Sequence, residues 1–127
     1  MTEDADGVAA RPEPTGDEAK QLFGNYYGAI SLAYRGGAVG YSYDYGSASK
    51  ALSVAQAKCK KATPYDSTCH KIAWVRNGCL ALSLKWSGAN PVRYGWAVRS
   101  SKKSAINAAN RVCGAGCSMR AWVCTTR

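Results

Sequence analysis

One stretch of this chain is written twice, and the duplication limits the fold more than any other feature. Ala29-Ile30-Ser31-Leu32 is answered by Ala81-Leu82-Ser83-Leu84. Ser47-Ala48-Ser49-Lys50-Ala51-Leu52, running through Ala55 to Cys59, is answered by Ser101-Lys102-Lys103-Ser104-Ala105-Ile106, running through Ala109 to Cys113. Cys69, Ala73, Trp74 and Val75 are answered by Cys117, Ala121, Trp122 and Val123. The offset is 52 residues at the first block and 48 at the third, so the order of elements is kept. Two copies are too few for a stacked solenoid, which needs three or more to bury a core. The pattern therefore predicts one domain of two halves, 26–76 and 78–124, each covering the other's apolar face.

Periodicity gives both halves the same order. Near-continuous apolar residues from Tyr26 to Tyr34 predict a strand, Arg35-Gly36-Gly37 a turn, and Val39 to Tyr45 a second strand. Ser47 is placed to cap a helix whose narrow apolar stripe is Ala48, Ala51, Leu52, Ala55 and Cys59. A loop with Pro64 leads to a third strand, Cys69 to Val75. The second half repeats this as strand 79–86, loop 87–91, strand 93–98, helix 101–113 and strand 117–124. The expected class is α+β, a pseudo-twofold repeat of two β-β-α-β units, with an antiparallel sheet and two helices.

At 127 residues the chain has room for one modest core. No apolar run approaches the roughly 20 residues of a membrane span. Six cysteines in a small basic domain predict three disulfides and an oxidising, extracellular setting. Cys59 and Cys113 each end the helix of their copy, and Cys69 and Cys117 each begin the strand that follows. The repeat thus points to the local bridges Cys59–Cys69 and Cys113–Cys117, leaving Cys79–Cys124. Cys113 and Cys117 alone have a zinc-like spacing, and with a single histidine in the chain no metal and no cofactor is expected.

The formal charge of +9 conceals two pieces. Residues 1–23 carry six acids and two bases and read as an acidic, disordered leader or pro-segment. Residues 24–127 carry fifteen bases against Asp44 and Asp66. The N-terminus lacks the layout of a secretory signal, so the secreted reading expects that signal to have been removed already. A leader of opposite charge suits masking of the cationic domain by charge complementarity.

Tyr27-Gly28-Ala29-Ile30-Ser31, Cys79-Leu80-Ala81-Leu82-Ser83 and the two Ala-rich helices ending in Cys59 and Cys113 resemble a known family. It is a secreted, cysteine-rich actinobacterial domain of unknown function with an internal repeat, and the likeness covers roughly 26–124. The resemblance implies fold and export; it implies no activity. In size, charge and style the chain is also similar to the secreted cationic antimicrobial proteins that rhodococci release against their relatives.

Catalysis has few residues to work with. The cationic domain offers Asp44, Asp66 and His70, too few for a paired-carboxylate or triad reading, and His70 reads as an exposed residue. No phosphate-cradling glycine loop is present, and paired cysteines leave no thiol nucleophile. The basic residues carry the functional expectation instead. Lys50, Lys58, Lys60 and Lys61 belong to the first helix and its exit, and Arg99, Lys102, Lys103 and Arg111 to the second. All fall off the alanine stripes and are expected to bind an anionic surface. Tyr41, Tyr43, Tyr45, Trp86, Tyr94 and Trp96 are candidate interfacial rings, the three hairpin tyrosines sharing one face by strict alternation. Trp74 and Trp122, at equivalent positions, are expected in the core.

These features predict a secreted, monomeric, non-enzymatic, bacteriocin-like antibacterial protein acting at the envelope of target cells, through anionic lipid, wall polymer or an unidentified receptor. The alternatives are a nucleic-acid or other polyanion-binding module, disfavoured inside cells by the disulfides, and a secreted inhibitor or immunity-type protein.

Overall fold

The computed structural model describes residues 25–125. The acidic leader expected over 1–23 lies outside the described residues, as do the last two.

The described chain runs β1 (Tyr27–Ala33), β2 (Val39–Tyr45), α1 (Ala48–Lys61), a short 3-10 turn (Asp66–Thr68) and β3 (Cys69–Arg76). The second half repeats this order as β4 (Cys79–Ser87), β5 (Asn90–Arg99), α2 (Lys102–Cys113) and β6 (Ser118–Cys124). The class is α+β, and both halves are β-β-α-β.

The helices start where the serines dictate. Ser47 Oγ accepts from the Lys50 amide at 3.1 Å and Ser101 Oγ from the Ser104 amide at 3.3 Å, each satisfying a donor that the first turn leaves open. α1 buries Ala51, Ala55 and Cys59, and α2 buries Ala105, Ala108, Ala109 and Cys113. Small side chains bring each helix backbone down onto its sheet, and two glycines complete the fit. Gly40 and Gly95 lie opposite Ser31 and Ser83 on the neighbouring strands. A Cβ at Gly40 would stand 2.0 Å from the Ala55 carbonyl, and one at Gly95 would stand 2.4 Å from the Cys113 nitrogen. Glycine is used at both places for close approach.

The strands form two antiparallel three-stranded sheets, ordered β2-β1-β3 and β5-β4-β6. The partition follows from period-two geometry. In β1, Ala29 packs toward α1, while Ile30 and Leu32 point away from it. The latter meet Leu80, Leu82, Leu84, Ala121 and Val123 of the second half. The order across the molecule is α1, first sheet, second sheet, α2. Each large aliphatic side chain buried between the sheets contributes about 1.5–3 kcal/mol.

Each half is also pinned covalently. Cys59 is bonded to Cys69 and Cys113 to Cys117, both joining a helix end to the strand that follows. Cys79 is bonded to Cys124, its cross-strand partner on β6. Thr125, just past β6, joins that half to the other, its hydroxyl donating to the Tyr26 carbonyl at 3.0 Å.

Three local readings are corrected. The tyrosines of β2 do not share one face. The pairing jumps from Tyr27↔Tyr45 to Ala29↔Ser42, which leaves an extra residue on β2, and Asp44 takes a φ of 64°. That bulge breaks the alternation, so Tyr41 packs with the inter-sheet core while Tyr45 packs with the α1 side. The loop expected over 87–91 is a tight turn at Gly88-Ala89, with Ser87 opposite Asn90. Pro91 sits in β5, an edge strand that tolerates a missing donor. Trp74 is not core. It is 47% exposed, whereas Trp122 is 2% exposed. The Lys102 ammonium lies 4.2 Å from the centroid of the Trp122 ring, whereas the residue equivalent to Lys102 in the first half is Ala48, too short to cover a ring.

Candidate binding surfaces

Fourteen Lys and Arg fall within residues 25–125, against Asp44 and Asp66. Asp44 is buried, so Asp66 is the exposed carboxylate among the described residues. Of the eight bases singled out on the helices, Lys50, Lys58, Lys60, Lys61, Arg99, Lys103 and Arg111 are exposed. Lys102 is half-buried on the Trp122 ring. Burial lowers the pKa of Lys58, whose ammonium sits 5.9 Å from the centroid of the Tyr41 ring.

The layer order separates these bases into two groups. α1 covers the outer face of one sheet and α2 the outer face of the other. At about 10 Å per packed layer, the helix axes stand on the order of 30 Å apart. A Debye length is about 8 Å at physiological salt, so direct interaction between the charges of one helix and those of the other is largely screened.

The aromatic candidates divide differently. Tyr43 is buried, and Tyr41 and Tyr45 are half-buried. Trp86, Tyr94 and Trp96 are exposed by 41%, 40% and 42%. Tyr94 and Trp96 pair with Leu84 and Leu82, so they stand on the inner face of the edge strand β5 beyond the cover of the other sheet.

At this edge the two halves form a recess of about 420 Å³, floored by Leu32 and walled by Tyr34, Pro91, Val92, Arg93 and Tyr94. Tyr34 comes from the end of β1 and Tyr94 from β5. Their ring centroids are 6.0 Å apart and their hydroxyl oxygens 3.4 Å apart, a long separation for a hydroxyl pair. His70 backs the Tyr34 ring in a stacked pair at 3.8 Å, and His70 Nδ1 lies 2.7 Å from the Thr68 carbonyl. The hydrogen bond with Tyr94, and burial after it, push the Tyr34 hydroxyl up to about 12. Arg93 donates to the Ala115 carbonyl.

The neighbouring turn is equally braced. Trp86 lies against Gly37, where a Cβ would stand 2.2 Å from its ring. Asn90 accepts from the Gly36 amide at 2.9 Å, and Arg35 lies over Tyr65 at 4.2 Å. Sequence reasoning had placed Trp86 and Tyr94 among the rings but missed Tyr34, Arg35, Tyr65 and Arg93. The dipeptide Tyr34-Arg35 before the glycine turn was the available signal. His70, read only as an exposed residue, proves to be part of the stack.

Among the described residues no group of three or more His, Cys, Asp or Glu is placed to hold a metal ion, and no cysteine is free. No helix among them is long and apolar enough to cross a membrane.

The model of a family described as a domain of unknown function, DUF4189, matches residues 27–124, and the chain belongs to that family. Neither a curated protein nor a solved structure matches it.

Proposed function

We propose that this member of the DUF4189 family is an exported cationic protein that binds anionic lipid or wall polymer at the bacterial envelope and inhibits growth by that binding, without catalysing a reaction. The charge balance of the described surface carries the reading: twelve exposed Lys and Arg, with Lys102 and Arg120 half-buried, stand against one exposed carboxylate. That excess is more than solubility asks of a small domain. Each Lys or Arg near an anionic bilayer contributes about 1 kcal/mol, so the four lysines of α1 and its exit together amount to about a thousandfold in affinity at low salt.

Two basic faces on opposite sides favour bridging between anionic partners. The test is the full chain mixed with vesicles of equal phosphatidylglycerol and phosphatidylcholine, followed by turbidity and by release of trapped dye. Vesicles should aggregate, the effect should fade as salt rises, and neutral vesicles should stay dispersed. Equal binding to neutral vesicles would contradict the reading.

A second reading, as a single-strand nucleic-acid binder, draws on the exposed rings beside basic residues. A steep salt dependence in filter binding with DNA, combined with no growth inhibition, would favour it.

A further inference from the structure

The two seams where the sheets meet at their edges are finished differently. β2 faces β6 along one side of the molecule, and β3 faces β5 along the other. On the first side Arg120 reaches from β6 to the Gly37 carbonyl at 3.2 Å, and Lys58 lies over the Tyr41 ring. On the second side the residue equivalent to Arg120 is Ile72, and the strip stays apolar. We infer that the β3–β5 seam is the side by which the protein lies on an anionic lipid bilayer, with its rings seated among the headgroups. The inference rests on the envelope-binding reading and chooses lipid over wall polymer for this surface.

Alternation sorts the side chains of the two edge strands into a middle and two borders. On β5, Tyr94 and Trp96 pair with Leu84 and Leu82 and so point to the inner face. On β3, His70 pairs with Leu32, and Ile72 packs on the inter-sheet core. Tyr34, in contact with both His70 and Tyr94, continues the strip. Tyr34, Tyr94 and Trp96 are each exposed by 40% or more. The bases fall on the outer faces. Lys71 and Arg76 pair with Ser31 and Tyr27, which face α1. Arg93 lies against Gly114 at the end of α2, and Arg99 pairs with Cys79, which faces α2. Neither strand contains a carboxylate.

An apolar strip with a base row on each border matches a lipid interface. Tyr and Trp settle at headgroup level, their apolar bodies toward the acyl chains and their polar tips hydrated. Lys and Arg on both borders then lie along the lipid phosphates. From Arg93 to Arg99 the strip runs about 20 Å, long enough to cover several headgroups. A second copy of the chain suits it less well, because a twofold contact brings like-charged borders together. A neutral glycan leaves both rows of bases without a counterpart.

The experiment mixes the full chain with vesicles of equal phosphatidylglycerol and phosphatidylcholine at about 20 mM salt, with and without bromine on the acyl chains. Co-sedimentation reads affinity, and quenching of tryptophan emission reads depth. Brominated chains should quench the bound protein, and Trp96→Phe, which keeps a ring but removes the reporting indole, should lose most of that quenching while binding within threefold. Tyr94→Ala and Trp96→Ala should each weaken binding tenfold or more. Lys71→Gln combined with Arg76→Gln should weaken it severalfold, whereas Val112→Ser, on the exposed face of α2, should change it less than twofold. Binding to anionic vesicles without quenching, or undiminished in both ring-to-alanine variants, would overturn the proposal. So would a dimer in sedimentation that Trp96→Ala dissociates, or binding to purified anionic wall polymer that Trp96→Ala abolishes with no quenching by lipid. Vesicle aggregation and salt-sensitive growth inhibition that persist without quenching would leave the envelope reading standing and sink this one alone.

Discussion

Trp74 and Trp122 stand at the same place in the two halves, and only Trp122 is buried. The halves share their order of strands, their helix caps and their glycine contacts, yet the second is packed more completely. Its helix buries four residues where the first buries three. Its Ser83 hydroxyl meets the Asn110 side chain, whereas the equivalent Ser31 hydroxyl is buried with no partner among the described residues. Gln56, the counterpart of Asn110, reaches instead to the Cys69 carbonyl at 2.8 Å. The second half also holds two of the three disulfides. Duplication thus copies the frame of a fold, while the side chains filling it drift to different degrees of completion.

The tryptophans should separate the halves most. Trp122→Ala is expected to cost about 4 kcal/mol, as for other buried aromatic truncations, and Trp74→Ala about 1 kcal/mol from its contact with Tyr27. Urea unfolding of both variants measures the gap, and equal losses would erase the contrast. Next come the bridges. Replacing Cys79 and Cys124 by serine opens a loop spanning 45 residues and should cost about 4 kcal/mol in the chain-entropy picture. Cys59 and Cys69 close a span of 10, and their removal should cost about 3 kcal/mol. Calorimetric melting of the two double variants ranks them.

At the glycines the halves should behave alike. Gly40→Ala and Gly95→Ala both force a methyl into helix backbone, and each should lose about 3 kcal/mol. A large difference between them would show that one helix yields where the other cannot. The smallest contrast lies in the serines. Ser83→Ala should cost about 1 kcal/mol by removing a hydrogen bond, while Ser31→Ala should be neutral or slightly stabilising because it removes a buried unpaired hydroxyl. Chemical denaturation of that pair resolves the sign.

Much of the frame is written locally. Ser47 and Ser101 announce their helices, and the paired positions of Cys59 with Cys113 and Cys69 with Cys117 leave little freedom in how the bridges form. Strand assignment within each half follows from apolar runs and turn glycines. The bulge at Asp44 was not legible, because strict alternation of tyrosines gives no sign of an inserted residue. The division into two sheets was not legible either, since it depends on which face of β1 meets the other half. The recess depended on the same step. Tyr34 and Tyr94 are 60 residues apart, and only the stacking of sheet on sheet brings their hydroxyls together. The basic residues were readable as a set, but their separation onto opposite faces required the layer order.

Growth inhibition of an actinobacterial culture by the full chain, measured as salt rises from about 20 to 300 mM, tests the central claim most directly. Lysine-to-glutamine and arginine-to-glutamine changes on α1 and α2 provide the companion variant. Inhibition should weaken severalfold with salt and be lost in the neutralised variant, with no soluble fragments released from peptidoglycan. Killing that ignores both salt and the missing charges, or measurable turnover of the wall polymer, would contradict it.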